Sequence, residues 1–220
     1  MNTNPILIFI SLCTLYACSD TFESRLSKDP IVTAVFEEEE IEHLSEIHQL
    51  FINEISSPEN LDSESNTELI ENYLERIREN PEARGNLYLL IKFNEEKRQN
   101  LISEFEVSGF FKELYKWDTT WWDRERMRYT GVRATDSIAN IRININLDGK
   151  YPKFMSELAK KDTIIREHYK TLNLAGGLTG LHLYDMVFKY ENYNLELERI
   201  QLYYALTFMN IGEPLPIFKR

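Results

Sequence analysis

The sequence predicts an all-α fold, an irregular multi-helix single domain, and three observations carry that prediction. Apolar residues recur at helical spacing along most of the chain. Breakers are few, 8 Gly and 7 Pro in 220 residues, and the clearest of them punctuate the periodic stretches. The length suffices for one hydrophobic core without disulfides or metals to staple it. The alternative is an α+β fold with a small two-stranded element formed by 87–93 and 141–147.

The first helix reads from Asp29-Pro30, Asp as N-cap and Pro at the first helical position. Ile31, Val35, Ile41, Leu44, Ile47, Phe51 and Ile55 then follow at close to helical spacing. Glu37 to Glu40 are four consecutive carboxylates, which spread round a helix instead of forming one face. Ser56 to Asn66 reads as a loop. Thr67 caps a second helix through Ile70, Tyr73, Leu74 and Ile77, ended by Asn80-Pro81. Arg84-Gly85-Asn86 is a turn, and Leu87 to Phe93 is a short apolar run leading into a charged helical stretch that reaches Phe105.

Ser137 to Leu147 is the ambiguous segment. Ile141, Ile143, Ile145 and Leu147 alternate with polar residues at strand period, while Ile138, Ile141 and Ile145 also fit a helix. A lone strand is unstable, and the only partner visible in the pattern is Leu87 to Phe93. The segment is therefore expected to be helical. Asp148-Gly149 turns into a helix from Tyr151 to about Leu172, and Ala175-Gly176-Gly177 breaks it. Leu181 to Tyr190 and Leu195 to Met209 give two further helices, and Pro214-Leu215-Pro216 makes an extended tail.

Met1 to Ala17 contain no Lys, Arg, Asp or Glu, and Pro5 to Tyr16 is mostly apolar. Twelve helical residues rise about 18 Å, too little for a hydrocarbon core of about 30 Å, but the length suits a secretory signal peptide. The stretch ends in Leu15-Tyr16-Ala17-Cys18, which resembles the lipobox of bacterial lipoproteins: an aliphatic residue, two intervening residues with the second small, then Cys. The resemblance implies cleavage after Ala17, lipid on Cys18, and anchoring in the bacterial cell envelope, with Ser19 compatible with the outer membrane. It divides the chain into a signal peptide at 1–17, a lipidated tether at 18–28 and a domain at 29–220. The only other cysteine is Cys13, so the chain after Cys18 has no thiolate nucleophile or Cys-based zinc site.

Charge is uneven. Asp20 to Glu106 holds 22 acidic and 8 basic residues, whereas Val107 to Arg220 holds 14 and 17. The overall net charge of -11 argues against a nucleic-acid binder. The acidic half reads as solvated helix faces or as a surface that steers a basic protein partner.

The most unusual stretch is Tyr115 to Tyr129. Trp117, Trp121 and Trp122 fall within six residues, and Arg124, Arg126 and Arg128 follow. Indoles stack on sugar rings and Arg pairs with carboxylates, so the group is a candidate ligand platform for a glycan. The plainer reading puts Trp117 and Trp121, four apart, on one buried helix face. Asp118, Asp123 and Glu125 beside the tryptophans are weak candidates for a carboxylate pair acting on glycosidic bonds.

Of the four histidines, His43 follows Glu40 in a Glu-x-x-His, the spacing of di-iron bundles. A second such motif is missing, so no metal is expected. His43 reads as an exposed partner of Glu39, His48 as a satisfied, partly buried side chain and His168 as surface. Gly-x-Ser-x-Gly is absent. Gly176 to Gly180 lacks the Lys-Ser/Thr of a phosphate loop and reads as a helix–helix turn, and no cofactor is expected. The sequence thus points to a lipid-anchored, non-enzymatic binding or adaptor domain. The alternatives are an immunity-type lipoprotein that neutralises a periplasmic toxin and a glycan- or peptidoglycan-active enzyme.

Overall fold

A computed structural model describes residues 25–56, 65–81, 94–123, 128–130 and 137–210, with backbone alone considered for 119–142. The fold is mostly helical, as the periodicity predicts, and it carries one small antiparallel sheet. The Leu87–Phe93 run, the leader with Ala17 and Cys18, and the C-terminal tail lie outside the described residues.

Arg25–Lys28 form a 3-10 turn whose Leu26 is fully buried, so the packed body already includes this part of the segment read as tether. Asp29 does cap, accepting from the Ile31 and Val32 amides at 2.9 and 3.3 Å. It caps only a short turn, however, and helix α1 (Glu38–Ile55) starts afresh. There Glu37 is the N-cap and Glu40 reaches back to the Glu37 amide at 2.8 Å, a reciprocal capping box. The carboxylate run occupies the first turn because unsatisfied amides and the positive end of the helix dipole favour anions there. The single helix expected from Asp29 is therefore two elements.

Helix α2 (Asn66–Glu79) is capped by Ser65, whose hydroxyl accepts from the Glu68 amide. Thr67 instead donates to the Leu195 carbonyl at 3.1 Å. Helix α3 (Glu95–Ser108) ends on Gly109 at φ 81°, in the left-handed region, and a single turn, α4 (Phe111–Leu114), follows.

The sheet corrects two expectations at once. Tyr115–Asp123 is strand β1, not a helix face, and Ser137–Ile145 is strand β3, not a helix. They pair antiparallel along their whole length, from Tyr115↔Ile145 to Asp123↔Ser137, with β2 (Arg128–Thr130) on the other side of β1. The partner of the 137–147 segment is thus the tryptophan stretch, whose aromatic and β-branched residues suit a pleated surface. Ile143 and Ile145 are buried and Asn144 between them is not, the strand alternation. The four-residue spacing of Trp117 and Trp121 fits either period, which is why the helical reading failed.

The helix read from Tyr151 to Leu172 is also two: α5 (Lys150–Ala159) and α6 (Thr163–Ala175). Asp162 breaks them by accepting from the Ile164 and Ile165 amides at 2.8 and 3.0 Å, while Arg166 donates to the Ala159 carbonyl at 2.9 Å. Gly176, at φ 74°, ends α6, and the glycines are a helix–helix turn as expected. Helix α7 (Gly180–Phe188), a 3-10 turn (Tyr190–Asn192) and α8 (Glu198–Met209) complete the described chain.

Helix α8 is the axis of the core. Every residue from Ile200 to Met209 is buried, against α1 and other elements, so the apolar stripe becomes an apolar cylinder. Several polar groups on it and on its neighbours are paired. Tyr115 donates to the Leu206 carbonyl and Tyr204 to the Met186 carbonyl, both at 2.9 Å, and Tyr151 lies 3.0 Å from the Thr207 hydroxyl. Arg98, 1% exposed, donates to the Met209 carbonyl at 3.0 Å and closes the helix C-terminus.

Candidate functional site

Among the described residues an open concavity lies where the first turn of α1 meets the α3–α4 junction. It has a volume of about 550 Å³ and is lined by Glu37, Glu38, Glu39, Glu40, His43 and Glu113, with Ser108, Gly109, Phe110 and Lys112. Local sequence builds it. The capping box holds the glutamates at the helix start, and the left-handed Gly109 turns the chain so that α4 faces them. Glu40 is held by Lys150, whose ammonium lies 2.6 Å from one carboxylate oxygen. Glu38 and Glu39 are not tied in this way, and both face solvent in part or whole.

His43 forms the groove's aromatic wall. Its ring stacks on Phe110 at 5.2 Å and tilts against Phe105 at 4.9 Å. Its Nδ1 lies 3.3 Å from Glu46 Oε2, so the partner is one turn ahead, not Glu39 one turn back. Five carboxylates line the groove with one lysine, and with Glu40 already paired to Lys150 the remaining ones leave it net acidic.

The tryptophan stretch lies on strand β1 instead of on a helix. Trp117 is half-buried, its indole N–H donates to Glu106, and one ring face is stacked on Phe111 at 5.1 Å. Trp121 pairs with Ala139 and Thr130, and Trp122 with Ile138 and Tyr129. Asp118, half-buried, pairs in register with Arg142, and Asp123 with Arg128 and Ser137. Arg124, Glu125 and Arg126 lie outside the described residues.

The histidines hold the second concentration of polar chemistry. His48 is buried, and its Nε2 lies 2.9 Å from Gln201 Oε1 in a satisfied contact between α1 and α8. Burial lowers its pKa, partly offset by that hydrogen bond. His168 is not on the surface: it is 3% exposed, with Nδ1 2.8 Å from the Tyr203 hydroxyl and Nε2 3.5 Å from Asp185. Glu167 beside it is exposed, because neighbours in sequence fall on different sides of a helix. The His182 ring packs on His168 at 4.7 Å, and its Nε2 donates to the His168 carbonyl at 2.8 Å. The sequence signal for this cluster is Thr179-Gly-Leu-His182, a capping box with His where Glu or Gln usually stands.

Among the described residues, no group of three His, Cys, Asp or Glu side chains is arranged to hold a metal ion. Among them, too, no helix is long and apolar enough to cross a membrane. No protein-family model, curated protein or solved structure matches the chain.

Proposed function

We propose that this chain is a lipid-anchored binding domain of the bacterial cell envelope, tethered through Cys18, that captures a basic protein segment in the acidic groove beside α1. The observation that carries the reading is the groove itself: five carboxylates, a stacked His43–Phe110 wall and about 550 Å³, enough to admit several Lys or Arg side chains. The unequal charge of the two halves supports it, since the 22 acids of 20–106 steer a cationic partner toward that side.

The groove reading is tested by titrating the protein with a fluorescent, Lys/Arg-rich peptide in detergent at low and moderate salt. Binding that weakens with salt and falls at least tenfold in Glu38→Lys/Glu39→Lys/Glu113→Lys supports it. Equal binding by that triple variant removes the groove from the function. The immunity-type reading is one case of the same chemistry, with a basic toxin as the partner. A deletion strain that survives unchanged in mixed culture with its relatives counts against it. The glycan reading is weakened at Trp117, where Phe111 covers one ring face.

A further inference from the structure

We propose that His168 and His182 form an acid-operated latch that holds α7 on the core at neutral pH and releases it when the pair takes up protons. The inference is independent of the groove and concerns the opposite set of elements, α6, α7 and α8.

Hydrogen-bond direction sets the neutral state of His182. The Thr179 backbone N–H lies 3.1 Å from Nδ1 and can only donate, so Nδ1 carries a lone pair. The Thr179 hydroxyl, 2.8 Å away, donates to the same atom, and the ring proton sits on Nε2, aimed at the His168 carbonyl. A second proton has its place at Nδ1. The hydroxyl can turn and accept it, but the Thr179 amide then faces an N–H and loses its acceptor. That amide is an orphan donor at the start of α7, so protonation removes one half of the capping box and leaves the Thr179 side chain on the His182 amide.

His168 couples to the same event. As a neutral ring it directs Nε2–H toward Asp185 and accepts from Tyr203 at Nδ1, the arrangement that suits an ionised carboxylate. With the rings 4.7 Å apart, two imidazolium charges repel in a dry site. The groups around the pair are Asp185 on α7, itself 2.6 Å from the Lys189 ammonium, Asp162 at the start of α6, Tyr193 just after the 3-10 turn and Tyr203 from α8. Asp185 is shared between Lys189 and His168, which leaves it able to offset one histidine charge and not two. Burial, followed by the neighbouring His182, pulls His168 down to about 4, and burial lowers His182 as well.

Helix α7 is the element that yields. Its nine residues are too few for a stable helix without tertiary contacts. Its outer side exposes Leu181 and Tyr184, and release would add Leu183, Met186 and Val187 to that apolar surface.

Hydrogen exchange on the full chain in detergent, corrected for the intrinsic pH dependence, tests the latch at pH 7 and pH 5. The protection of Leu183, Met186 and Val187 amides is expected to fall at least tenfold more than that of Tyr204–Phe208. In His182→Gln, whose amide can accept from Thr179 and donate to His168 without titrating, that difference is expected to shrink at least threefold, the remainder being the share of His168. Equal change in α7 and α8, or an undiminished difference in folded His182→Gln, overturns the latch. If that variant does not fold, imidazole nitrogen shifts of the wild type decide. A neutral His182 protonated on Nε2 at pH 6 upholds the proposal, and both rings already charged at that pH refute it.

Discussion

Replacing Gly149 with Ala tests how closely α4 and α5 are locked beneath the groove. Gly149 is buried at the start of α5, directly against the backbone of α4. A Cβ there would overlap the Glu113 carbonyl oxygen and stand 2.9 Å from its carbon and 3.1 Å from the Lys112 oxygen. These are backbone atoms, so no side-chain rotation relieves the overlap, and α4 must move away from α5. Overpacking of this kind costs about 1–3 kcal/mol. The shift also strains the Asn146 amide bond to the Leu114 carbonyl, 3.0 Å, which adds about 1 kcal/mol if lost. Urea denaturation is expected to show a loss of about 3 kcal/mol at unchanged slope. Because Lys112 and Glu113 line the groove, affinity for a basic peptide is expected to change as well. The control is Gly109→Ala, where a Cβ meets nothing within 4 Å and only the φ of +81° is penalised, by about 1 kcal/mol. A Gly149→Ala variant within about 0.5 kcal/mol of wild type would refute the reasoning, since ordinary surface changes have that size.

Other outcomes follow from the same geometry. Between pH 7 and pH 5 the unfolded chain takes a proton at each histidine near 6.5, while His168 at about 4 does not. Its contribution is therefore present above 6.5 and is lost as pH falls toward 4, by about 2 kcal/mol at pH 5; denaturation midpoints that rise over this interval would contradict the assignment. Gln201→Leu leaves the buried His48 Nε2 without its partner and is expected to cost about 1–3 kcal/mol by thermal or urea unfolding. Trp117→Phe removes the indole bond to Glu106 but keeps the Phe111 stack, so a loss of about 1 kcal/mol is expected, with a larger one showing that the ring packs elsewhere. Metabolic labelling with an alkynyl fatty acid is expected to mark the wild type and not Cys18→Ala; label that persists would place the lipid on another residue.

Helix-rich architecture was legible in the sequence because burial on one face leaves a 3.6-residue trace, as in Ile41, Leu44, Ile47, Phe51 and Ile55. The lipobox-like Leu15-Tyr16-Ala17-Cys18 is likewise a purely local pattern. Helix boundaries were less so: Asp162 and the Glu37–Glu40 box split what periodicity joined, because capping depends on which amides lack partners and not on apolar spacing. The 137–147 segment fitted both periods, and only its pairing with Tyr115–Asp123 made it a strand. A pairing between segments about twenty residues apart leaves no local trace in either one.

The sites divide in the same way. The carboxylate run was visible, but the concavity needed α4 to fold back over it. His168 looked exposed beside Glu167, and it became buried because α7 and α8 bring His182, Asp185 and Tyr203 around it. Sequence by itself determined what is local: helical periodicity, charge asymmetry and the Leu-Tyr-Ala-Cys pattern at 15–18. Tertiary structure alone decided which polar groups left water together, because desolvation and hydrogen-bond direction depend on neighbours that are distant in the chain.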